Sequence, residues 1–146
     1  METKDILLVE DDIRDVELTL AALEEYNLAN RVVVARDGAE ALDYLYRRGA
    51  YADRTANHPV IVLLDLHMPK IDGLEVLRQV KRDPVLKIIP IVVLTSSDQD
   101  IVESYDLGVN AYVVKPVAFD GFVEAVKQLS LFWILTNEPP PNTIRS

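Results

Sequence analysis

Five short apolar runs recur along the chain: Ile6-Leu7-Leu8-Val9, Val32-Val33-Val34, Val60-Ile61-Val62-Leu63-Leu64, Ile91-Val92-Val93-Leu94 and Tyr112-Val113-Val114. Each is too short for a helix, is rich in β-branched residues and does not alternate with polar positions. That pattern predicts strands buried on both faces, as in a parallel sheet. Between the runs the apolar positions change to helical spacing. Ile13, Val16, Leu20 and Leu23 form one stripe, with Asp12 placed to cap its start. Asp37-Gly38-Ala39-Glu40 has the form of a capping box, and the helix it opens is expected to end at Gly49. Asp72 and Glu75 repeat the device ahead of Leu74, Leu77 and Val80, and Asp83-Pro84 closes that helix. A fourth helix is expected over about residues 98–107, with Gly108 beyond its end, and a fifth from near Phe119.

Strand and helix therefore alternate five times. Such a chain builds an α/β domain with right-handed crossovers and helices on both sheet faces. The predicted architecture is a doubly wound, flavodoxin-like (βα)5 fold with a five-stranded parallel sheet in the order 2-1-3-4-5. In such sheets ligands sit outside the carboxyl ends of the strands where the winding reverses, here between strands 1 and 3. Two segments stand outside the repeat. Arg48 to Pro59 is polar and predicts a surface excursion between helix 2 and strand 3. Leu131-Phe132-Trp133-Ile134-Leu135 is too broad an apolar run for one helix face, and Asn137-Glu138-Pro139-Pro140-Pro141 stops it. The expected division is a domain over 1–130 and an apolar helical extension with a Pro-rich tail over 131–146.

Composition narrows the functional classes. Of 146 residues 49% are hydrophobic and 27% charged, enough to bury a core without staples. The formal charge of −9 argues against gripping a phosphate backbone, so no direct nucleic-acid partner is expected. No apolar run reaches membrane-spanning length and the first residues lack a signal-peptide core, which predicts a cytoplasmic protein with no membrane partner. With no cysteine, thiolate metal sites and a cysteine nucleophile are excluded.

The first polar residues after the central strands carry the chemistry. Strand 1 is followed by Glu10-Asp11-Asp12, strand 3 by Asp65, strand 4 by Thr95 and Ser96, and strand 5 by Lys115. Singly, each has an ordinary explanation as a cap, a strand-end hydroxyl or a solvated charge; together, the predicted topology brings them to one rim. Carboxylates about 4 Å apart repel by about 4 kcal/mol per pair at an effective dielectric near 20, so the rim calls for a cation. Magnesium suits it, because it combines one or two carboxylates with waters and phosphate oxygens. A carboxylate beside that ion, a hydroxyl and an ammonium are equipped for phosphoryl chemistry, with Asp65 as the candidate nucleophile.

These motifs resemble the receiver domains of two-component response regulators over residues 5 to about 130. The matching segments are Leu8-Val9-Glu10-Asp11-Asp12, Leu63-Leu64-Asp65 through Asp72-Gly73, Val93-Leu94-Thr95-Ser96 and Tyr112-Val113-Val114-Lys115-Pro116. The resemblance implies a regulatory domain rather than an enzyme, in which Asp65 accepts phosphate from a histidine kinase and later loses it. It further implies magnesium held by Glu10, Asp11, Asp65 and the main-chain carbonyl of His67. Thr95 and Ser96 would meet the phosphoryl oxygens, Lys115 would pair with them, Tyr112 would act as an aromatic switch, and the Lys115-Pro116 bond would be cis. His67 departs from the residues common at that position, which bears on the rate of phosphate loss and not on the carbonyl contact. The polar excursion and the Phe132-Trp133 tail are similar to small single-domain regulators that partner bacterial phytochromes. That narrower likeness implies a light-sensing kinase as partner and a homodimer formed through the C-terminal region.

Two other classes compete. A magnesium-dependent phosphohydrolase with an aspartate nucleophile would use the same residue types, but Asp65-Leu66-His67 lacks the second Asp that such enzymes use as general acid. An unphosphorylated adaptor would be expected to have lost Asp65 or Lys115, and both are present.

Overall fold

The computed structural model describes residues 5–25, 27–54, 58–66, 68, 72–95, 109 and 111–128. Five strands lie among the described residues: β1 (Ile6–Val9), β2 (Val32–Ala35), β3 (Ile61–Asp65), β4 (Ile91–Thr95) and β5 (Ala111–Val114). They form one parallel sheet in the order β2-β1-β3-β4-β5, as the alternation of elements predicts. Four α-helices are described: α1 (Ile13–Glu24), α2 (Gly38–Tyr46), α3 (Gly73–Arg82) and α4 (Phe119–Gln128). The helix expected over 98–107 and the extension over 131–146 lie outside the described residues.

The strand pleat divides the core in two. Leu8, Leu63, Leu94 and Val113 face one side, where Val16 and Leu23 of α1 and Phe122 and Val126 of α4 cover them. Leu7, Val9, Leu64 and Val93 face the other, under Leu42 and Leu45 of α2 and Val76, Leu77 and Val80 of α3. Burial on both faces holds for β1, β3 and β4 but not for the sheet edges. The three valines of β2 are half-buried, and Tyr112 and Val114 of β5 are 38% and 56% exposed. A β-branched run reads the same at an edge as at the centre, so sequence pattern alone overstates edge burial.

The caps position the loops that carry the site. Asp12 accepts from the N–H groups of Arg14 and Asp15, Asp37 from that of Glu40, and Asp72 from that of Glu75. These bonds satisfy donors that the first helical turn leaves unpaired. Helix α2 stops earlier than Gly49. Arg47 adopts a left-handed conformation (φ 54°), and the Arg47 and Arg48 N–H groups turn back to the carbonyls of Tyr44 and Asp43. Gly49 (φ 60°) instead opens a short 3-10 turn over Gly49–Tyr51. The described part of the polar excursion is docked rather than free. Tyr51 packs edge-on against Tyr44 at 5.1 Å, and the Arg54 guanidinium lies 4.2 Å from the centre of the Tyr44 ring while donating to the Tyr44 carbonyl.

Candidate functional site at the carboxyl ends of the strands

Four of the five strands, β1, β3, β4 and β5, deliver polar groups to the same end of the sheet. Glu10 follows β1 and is fully buried, its N–H held by the Ala35 carbonyl of β2. Asp65 and Thr95 are the last residues of β3 and β4, 4% and 2% exposed. Lys115 follows β5, its N–H donating to the Thr95 carbonyl, and its bond to Pro116 is cis. Glu10, Asp11, Asp12, Asp15, Asp65, Thr95 and Lys115 line one open cleft of about 320 Å³.

The Lys115 ammonium organises this cleft. Its Nζ lies 2.6 Å from Glu10 Oε1, 3.0 Å from Asp15 Oδ2 and 3.3 Å from Asp65 Oδ1. Burial alone would lower the Lys115 pKa, and the adjacent Glu10 and Asp15 carboxylates more than reverse that, leaving it raised. One ammonium does not neutralise the group. Burial first, then the neighbouring Asp65 carboxylate, raises Glu10 to about 7 despite Lys115. Glu10 Oε1 is buried without an aligned hydrogen bond, its approach to Lys115 being an ion pair off the hydrogen-bond direction. Glu10, Asp11 and Asp65 each present an oxygen within 4.8 Å of the others. A crowded, partly unsatisfied oxygen set of this kind fits a hard divalent cation.

The structure thus brings Glu10, Asp11, Asp65, Thr95 and Lys115 together. Tyr112 stands outside the cleft, on the edge strand, lining a separate groove of about 300 Å³ between β5 and α4. His67, Ser96, Phe132 and Trp133 lie outside the described residues.

Three residues of the rim escape a reading confined to the first polar residue after each central strand. Asp15 reaches Lys115 from the first turn of α1, where its spacing from the Asp12 cap is the only sequence signal. Gly73 begins α3 against the main chain of Asp65 and Leu66: a Cβ there would lie 2.2 Å from the Asp65 carbonyl oxygen and 2.5 Å from Leu66 Cα. Arg36 follows the edge strand β2 and donates from Nη2 to the Asp11 carbonyl at 2.8 Å.

Comparison with known proteins agrees with this architecture. The family profile described as "Response regulator receiver domain" matches residues 6–127. The chain is 42% identical over 137 residues to the probable methanogenesis regulatory protein FilR2 of Methanothrix harundinacea, covering 92% of this chain and 86% of that one. It is 38% identical over 135 residues to response regulator Rcp1 of Synechocystis, covering 91% and 90%. The Mn(2+)-bound form of Rcp1 superposes with a TM-score of 0.73 over 94% of this chain and 99% of that one. The solved bacteriophytochrome response regulator AtBRR is 59% identical with a TM-score of 0.85, covering 94% of this chain and all of that one.

Proposed function

The chain belongs to the response regulator receiver domain family, and from that premise we propose that it transmits a signal by accepting a phosphoryl group on Asp65 from a histidine kinase. The observation that carries this reading is the shared ammonium: Lys115 Nζ touches Asp65 Oδ1 while held by Glu10 and Asp15. In the proposed transfer a carboxylate oxygen of Asp65 forms a bond to phosphorus as the bond to the kinase histidine nitrogen breaks, that nitrogen keeping the electron pair. Lys115 stands ready to pair with the equatorial oxygens, and the Thr95 hydroxyl, with that of Ser96, to hydrogen-bond them. Glu10, Asp11 and Asp65, with the His67 carbonyl, would hold Mg2+, which supplies charge neutralisation to the phosphoryl group when bound. The solved Mn(2+)-bound relative supports a divalent ion in this family.

Phosphorylation adds charge beside Thr95, and the population shift it drives is the output. Tyr112, at the edge of the same sheet, is proposed to report that shift. Residues 1–130 form the receiver on this reading, and 131–146, with Phe132 and Trp133, an extension that joins two copies in the cytoplasm. The likeness to AtBRR and Rcp1 supports a phytochrome-type kinase as partner. The test is incubation with acetyl phosphate and Mg2+ followed by intact mass measurement. The wild type should gain one phosphoryl group and Asp65→Asn none; an unchanged wild-type mass with the fold intact removes the proposal.

A further inference from the structure

The acidic rim is braced from the side of the sheet that the central strands do not reach. Asp11 sits between Glu10, whose N–H is held by β2, and Asp12, whose side chain caps α1. The first carbonyl drawn into α1 is that of Asp12, which accepts from the Val16 N–H, so the Asp11 carbonyl falls just outside the helix. Arg36 Nη2 donates to it across 25 residues of sequence at 2.8 Å. Arg36 is anchored in turn, its N–H donating to Glu40 Oε2 at 3.0 Å. The other oxygen of the same carboxylate, Oε1, accepts the Tyr51 hydroxyl at 2.8 Å. Glu40 itself is fixed by its N–H on the Asp37 cap. Burial, then the bond to Glu40, holds the Tyr51 hydroxyl protonated up to about 12, so it remains a donor. Tyr51 belongs to the 3-10 turn of the polar excursion, whose place against α2 is set by its edge-on contact with Tyr44.

We propose that Arg36, backed by Glu40 and Tyr51, is a positioning residue for the cation site: it fixes the Asp11 peptide, and through it the direction of the Asp11 carboxylate. The polar excursion after α2 is then a buttress of the rim. The inference rests on the reading that Glu10, Asp11 and Asp65 hold a divalent ion. Partners that orient ligands from behind commonly change metal affinity by one to two orders of magnitude when removed.

The sign of the effect separates positioning from simple electrostatics. Arg36 carries a positive charge beside the site, and deleting a nearby charge of that sign should tighten binding of a divalent cation. Deleting a support should weaken it. Mg2+ is titrated calorimetrically into the metal-free wild type and into Arg36→Gln, Arg36→Lys and Tyr51→Phe, with urea denaturation of each. Arg36→Gln should bind Mg2+ about tenfold more weakly. Arg36→Lys, which keeps the charge and one donor, should recover part of the loss. Tyr51→Phe, which alters no charge and keeps the ring packing, should weaken binding about threefold with wild-type far-UV circular dichroism. Equal or tighter Mg2+ binding by folded Arg36→Gln overturns the proposal, and if that variant does not fold, unchanged binding by Tyr51→Phe overturns it. A wild type that binds no Mg2+ removes the cation site itself and the brace with it, whereas normal wild-type binding with indifferent variants removes only the brace.

Discussion

Replacing Lys115 with Met tests whether the ammonium and the cation occupy one electrostatic site. The substitution keeps the aliphatic stem and removes the charge that lies 2.6, 3.0 and 3.3 Å from Glu10, Asp15 and Asp65. Each contact is worth about 5 kcal/mol at an effective dielectric near 20, but most of that is offset by desolvation of the same groups. Removing one partner of a buried pair costs about 3–5 kcal/mol. The lower end applies, because the Lys115 side chain keeps 16% of its exposure and Glu10 can take up a proton. The expected loss in metal-free protein at pH 8 is therefore about 3 kcal/mol. Glu10 binds its proton more tightly folded than unfolded, so its carboxyl favours the folded state at low pH and loses that contribution as pH rises from about 4.5 through about 7. Without Lys115 its pKa rises further, and the loss should shrink by about 1 kcal/mol on going from pH 8 to pH 6. Mg2+ should act in the opposite sense to the mutation. With the ammonium gone the carboxylates bind the ion at least about tenfold more tightly, and saturating Mg2+ returns about 1.4 kcal/mol more to the variant than to the wild type. Urea denaturation followed by circular dichroism at both pH values, with and without Mg2+, measures all of this. An Mg2+ increment equal to or smaller than the wild type's would mean that lysine and ion do not share carboxylates.

Three further outcomes are expected. Gly73→Ala should destabilise the fold by about 3 kcal/mol in urea and slow phosphoryl uptake, because its Cβ meets main-chain atoms of Asp65 and Leu66 that cannot rotate away; a neutral or stabilised variant, as helix propensity alone would give, contradicts the close approach. Thr19→Val should raise the urea midpoint by about 1 kcal/mol of stability at unchanged slope, since Thr19 is fully buried and its Oγ1 has no hydrogen-bond partner among the described residues; a loss of stability would show that the hydroxyl is satisfied. Calorimetric Mg2+ affinity should be about tenfold lower at pH 6 than at pH 8, because the ion needs Glu10 as carboxylate and burial holds that group near 7; affinity indifferent to pH would remove Glu10 from the ion's ligands.

The parts of the site that were legible in sequence are those fixed by strand order. Once five β-branched runs alternate with helical stripes, the residue after each central strand must reach one rim, and Glu10, Asp11, Asp65, Thr95 and Lys115 do so. Capping was equally readable, since Asp12, Asp37 and Asp72 each stand where an unpaired helical N–H requires an acceptor. What could not be read was set by contacts across the chain. Arg36 follows an edge strand and acts through 25 residues of separation, so neither periodicity nor local motif marks it. Gly73 matters because two backbones touch, and nothing in the helix pattern announces that. Helix α2 ends ahead of Gly49 because Arg47 takes the left-handed position that glycine usually supplies, leaving Gly49 for the next turn.

The central claim is that carboxylates remote in sequence close around one cation with Asp65 among its ligands. Anomalous diffraction from crystals grown with Mn2+ and a beryllofluoride phosphate mimic addresses it directly. The account predicts a single manganese peak bonded to oxygens of Glu10, Asp11 and Asp65, with the beryllium on an Asp65 oxygen and facing Lys115. A manganese peak away from those carboxylates, or beryllofluoride attached to any residue other than Asp65, would contradict it.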